Sequence, residues 1–319
     1  MCSNIKLIFI VINKNTMKTK YSLIVVNYEC SNYILKMILS LDRCVNGRKD
    51  YEIIIVDNSS QYTDFIDVVD NSTIRYIKSE RNVGFGAACN IGVKNAFGEI
   101  LLFVNPDIIF LKNILSALDD YSDYLSDGNI LGFNFVDELG NPTYTHGNFP
   151  SLKGEILELL FVHKLWPKYF SNYTIGKIEA PSNKGALDVD YVCGGLFATS
   201  RKYYEEMNGF DESFFLYFEE TELMWRFKMR GKKISLLLDC FAIHIGSVTT
   251  SIDSDFKIIN MEIGRANYYK LTLQDNKLKL LSYCSIRMIK LIIMAIANNK
   301  KTYLDLIGVM RDVIFDEKS

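Results

Sequence analysis

The sequence predicts an α/β fold built on a doubly wound, mostly parallel sheet. Two observations predict it. Apolar runs of strand length alternate with segments whose apolar residues recur at helical spacing. Three of these runs end in polar residues, at the edge where sheets of this kind bind ligands. The chain has 319 residues, of which 49% are hydrophobic, so it can form one large domain of this class with an appendage.

The first half of the chain supplies most of the predicted sheet. The run Tyr21–Asn27 indicates a strand that is covered on both faces. A helix capped by Ser31 or Asn32 follows, because apolar residues then recur at helical spacing. The remaining strands of this half are predicted at 51–56, 74–78, 99–104 and near 130–136. The remaining helices are predicted at 82–97, where a glycine-rich turn comes first, and at about 111–126.

The second half is less regular. Residues 137–185 look irregular apart from a short apolar helix near 154–165, and they predict a substrate-side insertion. The run from Asp188 to Thr199 predicts a strand broken at Gly194 and Gly195, and such a pair often marks close approach of a ligand or backbone. A helix at about 219–230 and two strands, at 233–238 and 240–245, complete the pattern.

The elements divide into a predicted catalytic domain at 17–255 and a C-terminal helical segment at 256–319. Residues 1–16 are left out of the fold, because Met17 directly precedes the first convincing strand and is the expected translation start. The apolar run Ile5–Ile12 is too short to span a bilayer, and no small-residue cleavage site follows it.

Composition and missing motifs exclude several function classes. The formal net charge of −2 gives no basic field, so we expect no nucleic-acid partner. The seven cysteines form no CxxC pair, which excludes zinc-ribbon and thioredoxin sites and fits reduced thiols in the cytoplasm. No GxxxxGK[ST] loop is present. Gly84-Phe85-Gly86 lacks the third glycine of the dinucleotide fingerprint and follows the third strand instead of the first.

Three predicted strands end in polar residues that should meet at one rim of the sheet. These are Asn27, then Asp57 with Asn58, then Asn105 and Asp107 around a proline. Asp57 suits a hydrogen bond to a nucleotide base or ribose, and Asp107 suits a hard divalent cation that also binds diphosphate oxygens. The alternatives are an Asx-turn cap for Asp57 and a helix cap for Asp107.

A cluster of carboxylates follows an aromatic segment, Phe214–Phe218. Glu219, Glu220 and Glu222 stand within four positions. Carboxylates beside an apolar wall are partly desolvated, which raises their pKa and suits a general base. The alternative is a solvated helix N-terminus, where acidic residues favour the dipole. His244 ends an apolar strand and is interpreted as a ligand, although an isolated histidine is more often a core or surface residue.

Seven motifs in order resemble the pattern of glycosyltransferase family 2. They are VNY, VDNSS, NVGFGAACNIG, LLFVNPD, GGLFATSR, GFDESFFLYFEETEL and a later H-x-G-S, and they cover about residues 20–255. The chain is similar in particular to bacterial rhamnosyltransferase-type enzymes of surface-polysaccharide assembly. The resemblance implies a GT-A fold and inverting transfer from a nucleotide-diphosphate sugar to a glycan or polyprenyl-linked acceptor.

The resemblance also implies residue roles. Glu220 stands at the position of the base, and Asp107 with His244 stands at the position of the Mg²⁺ or Mn²⁺ site. The implied donor-binding residues are Asn27, Asp57, Asn82, Gly84, Phe85 and Asn105. The implied acceptor-side residues are Gly194, Gly195, Glu219 and Glu222.

Two departures from the family pattern leave an alternative open. Asn105 replaces a carboxylate, which leaves fewer anionic metal ligands. Glu220 replaces Asp, which displaces the base carboxylate by about 1–1.5 Å unless the backbone adjusts. A non-catalytic partner that binds nucleotide sugar or glycan is therefore the alternative function. A nucleotidyltransferase is disfavoured, because the turn from Tyr28 to Ser31 is not a glycine-rich basic phosphate loop.

The C-terminal segment predicts a helix at the inner face of the cytoplasmic membrane. The stretch 278–297 is very apolar, and Lys279, Arg287, Lys290 and Lys301 fall in one stripe of its helical wheel. Two internal charges argue against a spanning helix. An in-plane helix that binds anionic lipid through this stripe suits a lipid-linked acceptor. The alternative is a helix packed on the catalytic domain or on a partner subunit.

Overall fold

The computed structural model describes residues 19–59, 73–166, 175–177, 185–246 and 254–315. Ser60 and Ser247 of the predicted motifs lie outside the described residues, as do residues 1–18. The strands are β1 Tyr21–Asn27, β2 Tyr51–Asp57, β3 Ile74–Lys78, β4 Ile100–Val104, β5 Ile108–Phe110, β6 Ile130–Val136, β7 Tyr144–Gly147, β8 Ile175–Lys177, β9 Ala186–Asp188, β10 Tyr191–Val192, β11 Leu196–Ser200 and β12 Ile234–His244.

Helices cover the sheet and extend beyond it at the C-terminal end. They are α1 Ser31–Val45, α2 Phe85–Lys94, α3 Ile114–Asp120, α4 Ser122–Ser126, α5 Leu152–Leu159, α6 Val162–Leu165, α7 Arg201–Glu206, α8 Glu219–Met229, α9 Asp255–Thr272, α10 Lys277–Asn298 and α11 Thr302–Phe315.

The central sheet is mixed and mostly parallel, as predicted. Its order is β3-β2-β1-β4-β11-β6-β12-β5, with β9 paired beside β12. Strands β1 to β4 run parallel along one half, and β12 runs parallel to β6. β11 lies antiparallel between β4 and β6, so it joins the two parallel groups. β1 is buried along its whole length because helices pack on both faces. Its Leu23 and Val25 belong to the core under α1, and its Ile24 and Val26 belong to the core under α2.

The observed elements differ from the sequence prediction most clearly in four places. The two strands predicted at 233–238 and 240–245 are one strand, β12, whose register against β6 shifts around Cys240. The strand predicted from Asp188 to Thr199 is split into β10 and β11, with β9 before them. The helix predicted at 111–126 is two short helices, α3 and α4. The irregular insertion contains β7 and β8, which form a small antiparallel sheet with β10. Short strands in such sheets are fixed by partners that are distant in sequence, which local patterns do not reveal.

The C-terminal helices are tied to the insertion by a buried cluster of ion pairs. Arg287 of α10 is 2% exposed and donates hydrogen bonds to Glu262 of α9, one of them at 2.7 Å, and to Glu155 of α5 at 3.4 Å. Lys290 pairs with Glu158 of α5. The prediction that Arg287 and Lys290 face lipid is therefore wrong. Both basic groups point inward, where acidic partners offset the cost of burying their charges.

Candidate active site

A cleft of about 730 Å³ opens at the carboxyl ends of β1, β2 and β4. Its walls come from the residues that follow these strands, from the turn before α2, from the glycine pair before β11, and from the starts of α8 and α9. The predicted site residues that line it are Asn82, Gly84, Phe85, Asn105, Asp107, Gly194, Gly195, Glu219, Glu220 and His244. The fold therefore brings together side chains that are separated by more than a hundred positions in the sequence.

Asp57 and Asn27 lie directly behind the cleft, outside its lining. Both are fully buried, and the Asn27 amide donates to the Asp57 carboxylate at 2.9 Å. Asp57 also accepts hydrogen bonds from the Ser59 backbone at 2.9 Å, from the Tyr76 hydroxyl and from the Lys78 ammonium group at 3.0 Å. Burial alone raises the pKa of Asp57, but these hydrogen bonds outweigh it and hold the pKa below its usual value. Asp57 thus fixes the ends of β1, β2 and β3.

Asn58 is a cleft residue that the sequence analysis placed at the rim of the sheet without assigning it a role. It directly follows Asp57, its amide nitrogen donates to the Gly84 carbonyl at 3.0 Å, and its own carbonyl oxygen is buried with no hydrogen-bond partner among the described residues. A buried polar atom without a partner is costly unless a ligand or water meets it. Asn58 stands in the VDNSS motif, but the sequence analysis assigned the binding role to its acidic neighbour, Asp57.

Glu222 lies outside the cleft and has a structural partner. Its carboxylate accepts two hydrogen bonds at 2.6 Å from Arg226, one helical turn later on α8. The same guanidinium donates to the backbone carbonyls of Met207 and Gly209, the latter at 2.8 Å. The pair therefore fastens α8 to the end of α7, and the third carboxylate of the cluster points away from the other two.

Glu219 and Glu220 form a desolvated acid pair in the first turn of α8. One oxygen of each carboxylate is buried and has no hydrogen-bond partner within the described part of the chain. Burial away from water raises the pKa of both residues, and for Glu220 the backbone N–H groups of Gly194 and Thr221 partly oppose this effect. The pair therefore lies at a helix N-terminus, as one interpretation of the acidic cluster expected, and it is desolvated, as the other interpretation expected.

Close backbone approaches hold the two walls of the cleft together. Gly84 has φ +90°, and a Cβ there would lie 2.5 Å from the Phe215 carbonyl oxygen. The same oxygen accepts a hydrogen bond from the Phe85 backbone at 3.0 Å. Glycine is required at position 84 for both its conformation and its size. The donor-side turn and the aromatic segment are consequently in direct contact.

Asp107 and His244 face each other across the cleft floor. The Asp107 Oδ1 atom is 3.3 Å from the His244 Nε2 atom, because β5 pairs with β12 and brings Ile108 opposite His244. The second Asp107 oxygen accepts a hydrogen bond from the Gly246 backbone at 2.9 Å. Asp107 does not cap a helix, since β5 follows it and α3 is capped by Asn113.

The pair fits a divalent cation that takes most of its ligands from elsewhere. A carboxylate oxygen and an imidazole nitrogen suit Mn²⁺, and the carboxylate also suits Mg²⁺. In the parts of the chain that are described, no three His, Cys, Asp or Glu side chains group into a metal site. Diphosphate oxygens and water would have to supply the other ligands, as expected with Asn105 in place of a carboxylate.

Lys257 is a cleft residue that sequence interpretation missed. It is the one lysine or arginine among the described residues that line the cleft, which otherwise contains four carboxylates. It lies in the first turn of α9, whose N-terminus is capped by Ser254. No local sequence motif includes Lys257. Because the predicted catalytic domain ended at residue 255, Lys257 was counted with the C-terminal segment.

The comparison of the sequence with known families decides the class. The profile described as Glycosyl transferase family 2 matches residues 22–208, more than half of the chain. The chain belongs to glycosyltransferase family 2. This glycosyltransferase is an enzyme that uses a nucleotide sugar, and the family resemblance of the seven motifs is confirmed.

Two curated relatives of this glycosyltransferase have names that state a sugar class or a glycan. The low-salt glycan biosynthesis hexosyltransferase Agl10 of Haloferax volcanii is 24% identical over 253 residues, covering 77% of this chain and 74% of that protein. The rhamnosyltransferase WbbL of Escherichia coli is 25% identical over 232 residues, covering 70% of this chain and 82% of that protein.

Solved structures show the fold of this glycosyltransferase. S. aureus TarS 1–349 in complex with UDP-GlcNAc has 15% identity and a TM-score of 0.51, covering 92% of this chain and 81% of that one. GalNAc-T7 with UDP, GalNAc and Mn²⁺ has 15% identity and a TM-score of 0.54, covering 89% of this chain and 58% of that one. The predicted GT-A fold is confirmed.

Proposed function

We propose that this glycosyltransferase transfers a hexose, with rhamnose as the first candidate, from a nucleotide-diphosphate sugar to a glycan or polyprenyl-linked acceptor in bacterial surface-polysaccharide synthesis. The rhamnosyltransferase and hexosyltransferase names of its relatives support the sugar class. One observation carries the proposal: Glu220, with an unpartnered buried oxygen, lines the same cleft as Asp107 and His244.

Glu220 acts as the general base. An acceptor hydroxyl has a high pKa and must lose its proton as it attacks the anomeric carbon. The unpartnered oxygen of Glu220 accepts that proton. The oxygen–anomeric carbon bond forms as the bond from that carbon to the diphosphate breaks, and the reacting carbon gains oxocarbenium character. A single base and a single displacement lead to inversion at that carbon.

Three cleft residues, Asp107, His244 and Lys257, would offset the charge of the diphosphate. Asp107 and His244 would hold Mg²⁺ or Mn²⁺, which when bound offsets the charge that develops on the leaving diphosphate. Lys257 adds a positive charge from α9, and the Mn²⁺ in the GalNAc-T7 structure supports a cation at such a site in the fold.

The residues of the cleft divide between the donor and the acceptor in this proposal. Asn58, Asn82, Gly84, Phe85 and Asn105 bind the donor, while Asp57 and Asn27 act from behind by fixing the strand ends. Gly194 and Glu219 would face the acceptor, whereas Gly195, whose carbonyl accepts a hydrogen bond from the Asn105 backbone at 2.9 Å, lies against Asn105 and His244. A Cβ at Gly194 would come within 3.3 Å of the Glu220 side chain, so its absence leaves room beside the base.

The apolar face of α10 supports attachment to a membrane. From Leu281 to the end of the helix, every exposed residue of α10 is uncharged, and Ile289, Ile292, Ile293 and Ile296 are among them. Lysines lie at both ends of this face, at 277 and 279 and at 300 and 301. By length and composition α10 could cross a bilayer, and 22% of its most apolar stretch is buried.

A bilayer surface is the proposed partner of this face. The chain that follows α5, a helix in contact with α10, adds exposed apolar side chains at Leu160, Phe161, Leu165 and Trp166. Exposed aromatic side chains and flanking lysines are typical of interfacial membrane segments. The ion pairs of Arg287 and Lys290 keep α10 packed on α5 and α9, which favours a position in the membrane plane over a spanning one. The enzyme is then cytoplasmic and peripheral on the inner face of the cytoplasmic membrane, where a polyprenyl-linked acceptor is found.

A panel of nucleotide-diphosphate hexoses and deoxyhexoses tests this proposal. We expect one donor to raise the melting temperature by mass action and to be slowly hydrolysed when Mn²⁺ is present. The alternative, a non-catalytic binding partner, predicts the same thermal shift with no release of nucleoside diphosphate from any donor. Absence of both effects for every donor contradicts the proposal.

A further inference from the structure

The aromatic segment that carries the acid pair is held in an unfavourable backbone conformation. Tyr217 and Phe218 have φ values of +69° and +72°, in the left-handed region that residues with side chains rarely adopt. Such a conformation persists only where the surrounding structure imposes it. Glu219 and Glu220 follow immediately, so whatever imposes this conformation also sets the direction of the acid pair.

The start of α2 supports one side of the segment. The Phe215 carbonyl accepts the hydrogen bond from Phe85, and Gly84 lies against the same oxygen. These contacts involve Phe215, two residues before Tyr217.

Helix α9 supports the other side, at Tyr217 and Phe218 themselves. Gly264 faces the Tyr217 carbonyl so closely that a Cβ at position 264 would lie 2.5 Å from that oxygen and 3.3 Å from the Phe218 Cβ. The Phe218 ring packs 6.1 Å from the ring of Tyr268. Further back, the Asn267 amide donates to the Ser213 carbonyl at 3.1 Å.

The glycine in α9 is costly for the helix, which indicates that it has another purpose. Gly264 is buried in an 18-residue helix, where glycine is less favourable than alanine because it loses more backbone freedom on folding. Its φ is not positive, so the helix does not need glycine for its conformation. The close approach to Tyr217 does need it.

We propose that α9 is a positioning element of the active site and that Gly264 is its decisive residue. Gly264 touches no substrate. It allows α9 to lie against the Tyr217 carbonyl, which fixes the left-handed turn and hence the direction of Glu220. The inference rests on the proposed role of Glu220 and makes the C-terminal helices part of the catalytic machinery.

The ion-pair cluster extends this support to α10. The Arg265 guanidinium lies 5.3 Å from the Phe218 ring centre and pairs at 2.8 Å with Glu155, which also binds Arg287. A continuous set of contacts therefore joins the apolar-faced helix to the residue before the acid pair.

Gly264→Ala tests the proposal, and Gly308→Ala in α11 is its matched control. A Cβ at Gly308 meets no atom within 4 Å, so that variant should keep full activity. We expect Gly264→Ala to lower kcat at least about tenfold, since displacements of about 1 Å at reacting groups are this costly. Donor affinity by calorimetry should change less than about threefold. The acid limb of the kcat–pH profile should move towards lower pH, because a displaced Glu220 is better hydrated.

A purely structural role for Gly264 predicts a lower melting temperature with kcat per folded molecule and pH profile unchanged, and that result overturns the proposal. If Gly264→Ala does not fold, Asn267→Ala replaces it, since its hydrogen bond is at the surface. We then expect a loss of kcat of about threefold with an unchanged melting temperature, and no loss overturns the proposal.

Glu220→Gln is measured in parallel to separate the two proposals. Normal kcat in that variant removes the proposed base. A loss of kcat there, together with normal kcat in Gly264→Ala, removes the positioning role alone.

Discussion

The Asp107 carboxylate and the His244 imidazole lie 3.3 Å apart, although 137 positions separate them in the chain. The pairing of β5 with β12 creates this contact, and the Gly246 backbone fixes the second carboxylate oxygen. An oxygen and a nitrogen ligand are thereby directed into a cleft that also contains Glu220. This relationship underlies the first prediction.

Removal of divalent cations should abolish transfer. Excess EDTA should lower turnover at least about 100-fold, and Mn²⁺ or Mg²⁺ should restore it, because the leaving diphosphate has only Lys257 as a second positive partner in the described cleft. Asp107→Asn should lose the Mn²⁺-dependent part of donor binding in calorimetry. Asp239→Asn serves as control, since Asp239 pairs with Lys112 at the surface, away from the cleft. Full turnover in EDTA contradicts the metal site.

Lys257→Ala should weaken donor binding. An ammonium group facing a diphosphate in a partly desolvated cleft contributes a charge-assisted contact, so we expect the Kd for the donor and for the free nucleoside diphosphate to rise about tenfold. The Kd for the nucleoside without phosphates should not change. Lys279→Ala, at the exposed start of α10, is the matched control. An equal effect on nucleoside and nucleoside diphosphate would show that Lys257 does not face the phosphates.

The apolar face of α10 should bind vesicles by burial and not by charge. Ile289→Glu with Ile293→Glu should abolish co-sedimentation with anionic vesicles. Leu139→Glu, a substitution at an apolar residue that is 87% exposed elsewhere, should leave it intact. Raising the salt concentration should weaken binding only in part, because Arg287 and Lys290 are engaged in ion pairs and only the lysines at the ends of the face remain for anionic lipid.

Two results separate the membrane from other partners of this face. If the wild-type protein ignores vesicles and behaves as a dimer that the double glutamate variant dissociates, a second copy covers α10. If the wild type binds vesicles only at low salt, basic residues carry the attachment, and attachment through the apolar face of α10 is wrong.

The sequence predicted the parts of the fold that depend on local patterns. The buried strands β1, β2 and β4 and their polar ends could be predicted, because a strand covered on both faces is apolar throughout and the chain must leave it at the rim. The small sheet formed by β7, β8 and β10 could not, since its short strands exist only through pairing with each other. The continuity of β12 was missed because an acidic residue, Asp239, interrupts its apolar pattern.

The same limit explains the outcomes at the candidate site. A motif at a strand end led to Asp107, and the carboxylate cluster after the aromatic segment led to Glu220; both line the cleft. Such patterns do not distinguish a carboxylate in the cleft from one behind it. Asp57 is engaged by its neighbours, and Asn58 lines the cleft instead. On α10, a helical wheel locates the basic stripe at Arg287 but cannot show that acidic partners on α5 and α9 turn this stripe inward.

Glu220→Gln is the decisive variant for the proposed base. The measurement is nucleoside-diphosphate release from the cognate donor with Mn²⁺, with donor affinity determined separately by calorimetry and Glu222→Gln as the matched acidic control. We expect Glu220→Gln to lose at least about 100-fold in kcat with donor affinity preserved, because glutamine is isosteric and cannot accept the proton. Glu222→Gln removes a structural ion pair, so it should lower the melting temperature and leave kcat nearly unchanged.

The pH profile of the wild-type enzyme completes this measurement. Burial raises the pKa of Glu220 above its ordinary value. The base must be ionised to act, so kcat should fall on acidification through a pKa above that of a free glutamate. The effect of pH on stability runs the other way. The folded state binds the Glu220 proton more tightly than the unfolded state, so this group favours folding at low pH. That contribution to stability is lost as the pH rises through the folded-state pKa of Glu220. We expect an acid limb that Glu220→Gln abolishes along with turnover. Normal turnover in Glu220→Gln, with the acid limb intact, would contradict the role of Glu220 as the base.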